Sequence, residues 1–250
     1  MRRPFAALIA AWVFLTRIPL PATRLDERDF AAAPGFYPLV GAAIGMIGAV
    51  GFAIGLAIGG AFIAAIFGTA STALATGAFH EDGLADLFDG LGAPTAERMM
   101  EIMRDSRLGT FGAAALFTAL LLKVTTLSQM PLAWALFALP VGHAISRLSA
   151  VLVIATARYA RAEGLAKPVA LGTARGPLII AAATGLGAIG VGAFGLGMGP
   201  VLAGLAGVGI GHVATRLLFQ RKLGGYTGDC LGAVQQVSEL GFYLGVVAWL

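Results

Sequence analysis

Long apolar runs separated by short polar connections dominate this chain. Residues 5–16 are apolar, but they are shorter than the ~20 residues that span a bilayer as a helix, so we expect a re-entrant or interfacial helix. Residues 36–79 are almost uncharged and long enough for two spans, with a hinge near Gly59 and Gly60. The remaining predicted spans are 108–129, 132–156, 177–197, 199–215 and 231–250. The pattern predicts an all-α polytopic integral membrane bundle of about seven transmembrane helices, with residues 1–250 forming a single membrane-embedded domain.

Composition and charge agree with this class. The chain is 58% hydrophobic and only 12% charged, whereas charged residues make up about 25% of soluble domains. Four longer connections hold three, three, four and three Arg or Lys residues, thirteen of the seventeen, and the short turns near residues 59, 130 and 198 hold none. By the positive-inside rule the four connections face the cytoplasm and the C-terminus lies outside. They are residues 17–34, 80–107, 157–176 and 216–230.

Glycine and cysteine usage narrows the picture further. Most of the 36 glycines fall in the spans, including Gly51, Gly55 and Gly59 at four-residue spacing and Gly207 with Gly211. Small residues let membrane helices approach closely, so these positions predict tight helix packing. The single cysteine, Cys230, excludes an internal disulfide. The basic net charge is typical of membrane-protein loops, and no segment resembles a nucleic-acid-binding module.

Acidic residues concentrate between His80 and Gly112, which holds seven of the thirteen. If residues 80–89 are helical, Asp82, Asp86 and Asp89 lie within about 60° of one another on one face. Oxygen ligands without cysteine favour a hard cation such as Mg²⁺, and Glu81 or Asp229 would complete the ligand set. The alternative is a solvated helix whose acids pair with the arginines of the same segment.

Basic and hydroxyl residues in the other connections suit phosphate binding. Arg104 and Arg107 flank Asp105, and two guanidinium groups can hold a phosphate through forked hydrogen bonds. Segment 223–232, LGGYTGDCLG, offers Thr227 and Asp229 among four glycines. Segment 158–164 adds Arg161 and Glu163, although ordinary cytoplasmic loop charge explains these equally well.

Several ionisable residues fall inside predicted spans, where they are expensive and therefore functional candidates. Arg147 follows His143 by one helical turn. Lys123 and Glu239 either snorkel to the membrane surface or pair with each other. His212 is interpreted as a packed or interfacial imidazole.

Five motifs together resemble the cobalamin synthase family, also called adenosylcobinamide-GDP ribazoletransferase. They run in order from residue 14 to about residue 240, so the resemblance covers nearly the whole chain. The two most specific pieces lie in the acid-rich segment. The motifs are FLTRIPLP (14–21), FHEDGLADLFDG (79–90), EIMRDSRLGTFG (101–112), RYARAEGL (158–165) and GGYTGDCLGA (224–233).

The resemblance implies a magnesium-dependent enzyme of the bacterial inner membrane, with its site facing the cytoplasm. Such enzymes join adenosylcobinamide-GDP to α-ribazole or its 5′-phosphate and release GMP. The expected partners are therefore the corrinoid and nucleotide substrates and the lipid bilayer, without nucleic acid, and a homo-oligomer is compatible with such a bundle.

Residue patterns and motifs together define the expected site. We expect catalytic roles for Asp82, Asp86, Asp89, Arg104, Asp105 and Arg107. We expect substrate binding by Arg17, Arg147, Arg161, Glu163, Thr227 and Asp229. We expect Mg²⁺ to bind among Glu81, Asp82, Asp86, Asp89 and Asp229.

Two other functions compete with this interpretation. A CDP-alcohol phosphotransferase also places spaced aspartates around Mg²⁺, but its pattern is only half met, because Asp82-Gly83 is followed by Ala85-Asp86 where Ala-Arg is expected. A transporter would place ionisable residues in the middle of several spans. In the predicted topology every acid except Glu239 lies in a connection.

Overall fold

The computed structural model describes residues 2–21, 24–160, 169 and 175–250, and these form ten α-helices and one 3₁₀ turn. Within this part of the chain, β-pairing is limited to an isolated bridge between Tyr159 and Tyr226. The all-α prediction is confirmed. The elements are α1 (Arg2–Leu15), α2 (Glu27–Ala32), the 3₁₀ turn (Ala33–Phe36), α3 (Tyr37–Thr76), α4 (Phe79–Leu91), α5 (Ala96–Ile102), α6 (Thr110–Leu127), α7 (Leu132–Thr156), α8 (Arg175–Leu196), α9 (Met198–Leu223) and α10 (Gly228–Val247).

Five helical stretches among the described residues have the length and apolarity needed to cross a bilayer. The first of them contains α3, which bends in the middle and so supplies two of the predicted spans. The last predicted span is also helical, as α10, but polar residues at 235, 236, 238 and 239 keep it out of this group. The five are Glu27–Thr76, Thr110–Leu127, Leu132–Thr156, Arg175–Leu196 and Met198–Leu223.

The hinge expected in the first long apolar run is confirmed. Backbone angles leave the helical region at Gly59 (φ −156°) and Gly60 (φ 80°), and the second of these is a conformation that glycine adopts without strain. The two arms of α3 then pack against each other. A Cβ on Gly55 would lie 2.8 Å from the carbonyl oxygen of Ile63, so only glycine permits this approach.

Helix α10 runs through the centre of the bundle, in contact with α4, α6, α7 and α9. Its closest neighbour is α9, where the backbones of Gly207 and Gly241 touch with no room for a side chain on either. One turn further along α9, a Cβ on Gly211 would lie 2.8 Å from the carbonyl oxygen of Val237. The prediction that these glycines serve tight helix packing is confirmed, and the packing fixes α10 against its neighbour.

One helix extends well into a segment that the sequence pattern assigns to a connection. Residues 216–230 were expected to be a polar connection, but α9 continues to Leu223. The basic residues Arg221 and Lys222 occupy its last turn, where positive charge is favourable beside the C-terminal carbonyl groups. Near the N-terminus, α1 has 14 residues and is only about 21 Å long, which agrees with the short helix expected there.

Candidate active site on the fourth helix

A sharp turn between α3 and α4 directs the acid-rich segment. Gly77 (φ 68°) and Ala78 (φ 55°) are both left-handed, and the Ala78 backbone N–H donates to the Ala73 carbonyl at 2.8 Å. The chain therefore reverses within two residues and continues as α4. The segment 80–107 that the sequence presents as one connection is thus two helices, α4 and α5, joined by a short turn.

Helix α4 has one buried face and one accessible face. Leu84 and Leu87 are almost completely buried, whereas Asp82 is exposed and Asp86 and Asp89 are half-buried. The helical spacing inferred from the sequence is confirmed, and the three aspartates share the accessible side.

The buried face of α4 crosses α10 at glycine. A Cβ on Gly83 would lie 3.0 Å from the carbonyl oxygen of Asp229, so the start of α10 lies directly against the aspartate-bearing turn of α4. Thr227 caps α10, since its hydroxyl accepts from the Cys230 N–H at 3.4 Å, and it also donates to the Asp229 carboxylate at 3.3 Å. Thr227 is fully buried, so the structure gives it a capping role in addition to the predicted contact with substrate.

Asp89 organises the neighbouring helix. Its carboxylate accepts from the backbone N–H groups of Gly109 at 2.8 Å and Gly112 at 2.7 Å, two donors at the start of α6 that the helix itself cannot satisfy. Gly109 is the N-cap of α6 and has no side chain to do this. A Cβ at either glycine would collide with the Asp89 carboxylate, which explains why glycines recur in the LGTFG segment.

Glu81 turns away from the other acids. Its side chain is buried, and one oxygen accepts from Gln236 of α10 at 3.1 Å, while the second has no hydrogen-bond partner among the described residues. The sequence placed Glu81 beside Asp82 in a metal site, but consecutive helical residues point about 100° apart. Glu81 precedes the buried Leu84 and Ala85 by three and four residues, and this spacing is the signal that indicates its burial.

An ion pair inside the bundle joins Lys123 of α6 to Glu239 of α10. The Nζ to Oε1 distance is 3.0 Å, and both side chains are essentially inaccessible. His143 Nδ1 lies 3.2 Å from the other Glu239 oxygen, and Gln235 donates to that oxygen at 2.6 Å. Of the two alternatives for Lys123 and Glu239, pairing is confirmed.

Gln236 connects this ion pair to the site helix. It accepts from Lys123 at 2.9 Å and donates to Glu81. The buried cluster formed by Glu81, Lys123, His143, Arg147, Gln235, Gln236 and Glu239 was not predicted as a unit. The available signal was the presence of polar residues in three different spans, because such groups must find one another in a bilayer.

Arg147 belongs to the same cluster and reaches a small cavity. Its Nη1 donates to the His143 carbonyl at 3.0 Å, whereas its Nε has no partner among the described residues. The cavity, of about 30 Å³, is also lined by Tyr37, His80 and Gly228. This volume holds one or two water molecules, so a substrate contact by Arg147 stays a prediction.

The predicted metal ligands do not all converge. Within the part of the chain that the structure describes, no group of three or more His, Cys, Asp or Glu side chains is placed to hold a metal ion. Glu81 and Asp89 are directed elsewhere, which leaves Asp82, Asp86 and Asp229 at the crossing of α4 and α10. These oxygen donors fit Mg²⁺, because that ion commonly uses one or two carboxylates together with substrate phosphates.

The Arg-rich segment after α5 is exposed. Helix α5 ends at Ile102, and Arg104 lies in the following turn. Arg107 forms a forked pair with Asp105, in which Nη2 donates to Oδ2 at 2.5 Å and Nε donates to Oδ1 at 3.0 Å. The hydrogen bonds from Arg107 lower the Asp105 carboxyl pKa to about 2, so Asp105 is ionised at neutral pH and a weak proton acceptor.

The remaining site predictions lie at two other places. Arg17 is exposed and lies beside Gly77, at the start of the turn into α4. Arg161 and Glu163 lie outside the described residues. A residue that the sequence did not single out, Lys222, donates to the carbonyl groups of Leu91 at 2.5 Å and Ala93 at 2.7 Å, and so fixes the far end of α4 to α9.

Comparison with known proteins gives this arrangement a family. A family model described as cobalamin-5-phosphate synthase matches residues 7–247. The chain belongs to that family. A relative from Ralstonia nicotianae is 42% identical, covering 100% of this chain and 97% of its own length. One from Mesorhizobium japonicum is 42% identical over 93% of this chain and 89% of its own, and one from Shewanella halifaxensis is 39% identical over 92% and 90%.

All three relatives carry the name adenosylcobinamide-GDP ribazoletransferase. No solved structure matches the chain. The resemblance stated from the motifs is therefore confirmed over residues 7–247. The two most specific motifs lie on α4 and on the segment that joins the end of α5 to the start of α6.

Proposed function

We propose that this protein joins adenosylcobinamide-GDP to α-ribazole or its 5′-phosphate and releases GMP, a late step of cobalamin synthesis. A ribazole hydroxyl forms a bond to the phosphorus next to cobinamide, the bond from that phosphorus to the GMP oxygen breaks, and the hydroxyl proton passes to a base. The observation that carries the proposal is the full-length similarity to the ribazoletransferase of Ralstonia nicotianae, which covers 100% of this chain.

The crossing of α4 and α10 supports this chemistry. One or two of the carboxylates of Asp82, Asp86 and Asp229, together with substrate phosphate oxygens, would hold Mg²⁺, which when bound neutralises phosphate charge and stabilises the nucleotide leaving group. Asp86 is half-buried and Asp82 exposed, so the two differ in how freely they reach solvent and substrate. Asp89 would support the site indirectly by holding the start of α6 beside it.

The exposed arginines suit the diphosphate of the activated substrate. Arg104 and Arg107 flank Asp105 in the turn after α5, and Asp105 orients Arg107 through its forked pair. A guanidinium group binds two phosphate oxygens at once, which the ammonium of lysine cannot do. Arg→Lys at either position should therefore raise the KM for the GDP-activated substrate, and an effect confined to ribazole would reassign these residues to the other phosphate.

Purified protein in nanodiscs, supplied with adenosylcobinamide-GDP, α-ribazole 5′-phosphate and Mg²⁺, tests the function. We expect equal amounts of GMP and joined corrinoid product. Turnover should require Mg²⁺ and should stop when a chelator removes the ion. Release of CMP from a CDP-alcohol would favour the lipid enzyme. Absence of nucleotide release from either substrate would refute the transferase.

In the proposed orientation, this site lies on the cytoplasmic side of the inner membrane. In a Cys230→Ser background, Ser128→Cys in the turn between α6 and α7 should react with an impermeant thiol reagent in intact cells. Thr95→Cys, at the start of α5, should react only after the membrane is opened. Gly197, between α8 and α9, is a less suitable position for a labelling cysteine than Ser128, because its φ of 88° would strain any residue with a Cβ. Labelling of Thr95→Cys in intact cells would reverse the orientation.

A further inference from the structure

An open cavity of about 880 Å³ lies between α1 and the start of α4. The segment after α1 forms one wall and is held in place by two hydrogen bonds. Trp12 Nε1 donates to the Ile18 carbonyl at 3.1 Å, and the Arg17 N–H donates to the Ala75 carbonyl at 2.8 Å. The lining residues include Val13, Phe14, Arg17, Leu20, Phe30 and Phe79.

The cavity opens onto the same side of α4 that carries the aspartates. Phe79 begins the helix and lines the cavity, and Asp82 and Asp86 follow within about 60° of its direction. They lie roughly 4.5 Å and 10.5 Å further along the axis. A molecule that fills the cavity and extends along α4 therefore brings its far end to the proposed phosphate site.

The lining indicates which part of the substrates belongs here. Arg17 is the single charged residue among the described residues that line it, and the rest are apolar or aromatic apart from Thr16 and Thr76. Phe14 and Phe79 meet edge to face at 5.5 Å, which gives a rigid aromatic wall. A nucleoside diphosphate needs several cations or a metal, whereas a wide macrocycle with apolar faces needs area and aromatic contact.

We propose that this cavity binds the corrin macrocycle of the GDP-activated substrate, with Arg17 at its rim. The assignment rests on the proposed function, and it adds where one of the two substrates binds. Size supports it, because pockets for drug-sized ligands range from about 300 to 1,000 Å³ and this cavity is near the upper limit. The ribazole substrate is much smaller, and the proposal assigns it no part of this cavity.

Binding of cobinamide without GDP tests the assignment, because this probe carries the macrocycle and no diphosphate. Leu20→Trp places a larger side chain in the wall of the cavity and so narrows it. Leu202→Trp is the matched control, with the same side chain at an exposed apolar position of α9. By equilibrium dialysis of nanodisc protein, we expect Leu20→Trp to weaken cobinamide binding about tenfold or more, with α-ribazole 5′-phosphate binding unchanged. Leu202→Trp should bind both like the unmodified protein.

Cysteine protection gives a second measurement that does not depend on filling the cavity. In the Cys230→Ser background, cobinamide should slow maleimide labelling of Leu20→Cys and leave that of Glu97→Cys on α5 unchanged. Unaltered cobinamide affinity in Leu20→Trp, or no protection of Leu20→Cys, would overturn the assignment while GMP release by the same protein still supported the transferase. If the unmodified protein released no GMP, the proposed function would fail, and this assignment with it.

Discussion

The two sides of α4 use acidic residues in opposite ways. On the accessible side, Asp82 is exposed and Asp86 is half-buried, so solvent reaches both side chains. On the hidden side, Glu81 enters the buried cluster and contacts Gln236. The comparison shows that helix geometry gives neighbouring acids in one motif different surroundings, with Glu81 in the buried cluster and Asp82 and Asp86 on the accessible side.

The difference also bears on the transporter alternative. Lys123 and Arg147 do lie in helices that are long and apolar enough to cross a membrane, and Glu239 lies in the central helix α10, an arrangement that a transporter would also show. However, Glu239 is paired with Lys123 and contacts His143, and Arg147 bonds the same histidine residue. These contacts are internal to the bundle, so they account for the buried charges without an ion pathway.

The largest effect is expected from breaking the ion pair. Lys123→Met leaves Glu239 without its closest cation and should cost roughly 3–5 kcal/mol of unfolding free energy, measured by SDS titration in mixed micelles. Lys123→Met combined with Glu239→Gln should recover much of this loss, because neither charge is then left unpaired. Thr118→Met, at an exposed position of the same helix, is the control. Equal losses in the single and double variants would mean that an unpaired Glu239 charge is not the cause of the loss.

A large effect on turnover, with little on stability, is expected on the accessible side. Asp82→Asn and Asp86→Asn should each lower kcat at least ~100-fold, since even residues that only support a metal ligand contribute 10–100-fold. Glu97→Gln, an exposed acid on α5, should retain the normal rate. Near-normal turnover of both Asn variants at saturating Mg²⁺ would remove the metal assignment.

Asp89 should behave differently from these two residues. Asp89→Ala removes the acceptor for two N–H groups at the start of α6 and should cost about 1–2 kcal/mol of stability. Asp89→Asn keeps one acceptor and should retain most activity. If Asp89→Asn lost as much turnover as Asp86→Asn at unchanged stability, Asp89 would be a metal ligand, as its spacing suggests.

The smallest effect is expected for the exposed Asp105–Arg107 pair. Because the Asp105 pKa is lowered from 3.8 to about 2, any stabilisation is complete above pH 3.8 and disappears as the pH falls through 2. Arg107→Gln should return the Asp105 pKa towards 3.8. The melting temperature at pH 7 should not change, because the Arg107 side chain is 86% exposed and surface pairs contribute little. A clear drop at pH 7 would show that the pair is more than a surface contact.

Local patterns in the sequence predicted most of the fold and the accessible side of the site. Run length located the spans, and Gly59-Gly60 located the bend in α3. The four-residue and three-residue steps from Asp82 to Asp89 placed three acids on one helix face. The extension of α9 over Arg221 and Lys222 was missed. The sequence pattern assigned these basic residues to a connection, although basic residues are also favourable in the last turn of a helix.

The contacts on the buried side of α4 could not be predicted from the spacing of residues along the sequence. Glu81 and Gln236 are separated by 155 positions, and Lys123 and Gln236 by 113, so their contacts depend on how α4, α6 and α10 assemble. The Asp89 contact has a similar cause: its partners are backbone groups of Gly109 and Gly112, which leave no trace in side-chain pattern. Burial and partner choice are properties of the assembled bundle, and periodicity within one helix does not contain them.

The buried ion pair also constrains the order in which the chain can be completed in the membrane. Ribosomes make Lys123 and Arg147 before Glu239, so α6 and α7 enter the bilayer carrying charges whose main partner does not yet exist. Helix α10 carries polar residues of its own, so its insertion is favourable only when Lys123 and Arg147 are already in the membrane to pair with them. Nascent chains that stop at Leu223 should therefore expose unpaired charge within the lipid and be degraded rapidly. A pulse-chase comparison with chains carrying Lys123→Met, which should survive longer when truncated, would measure this.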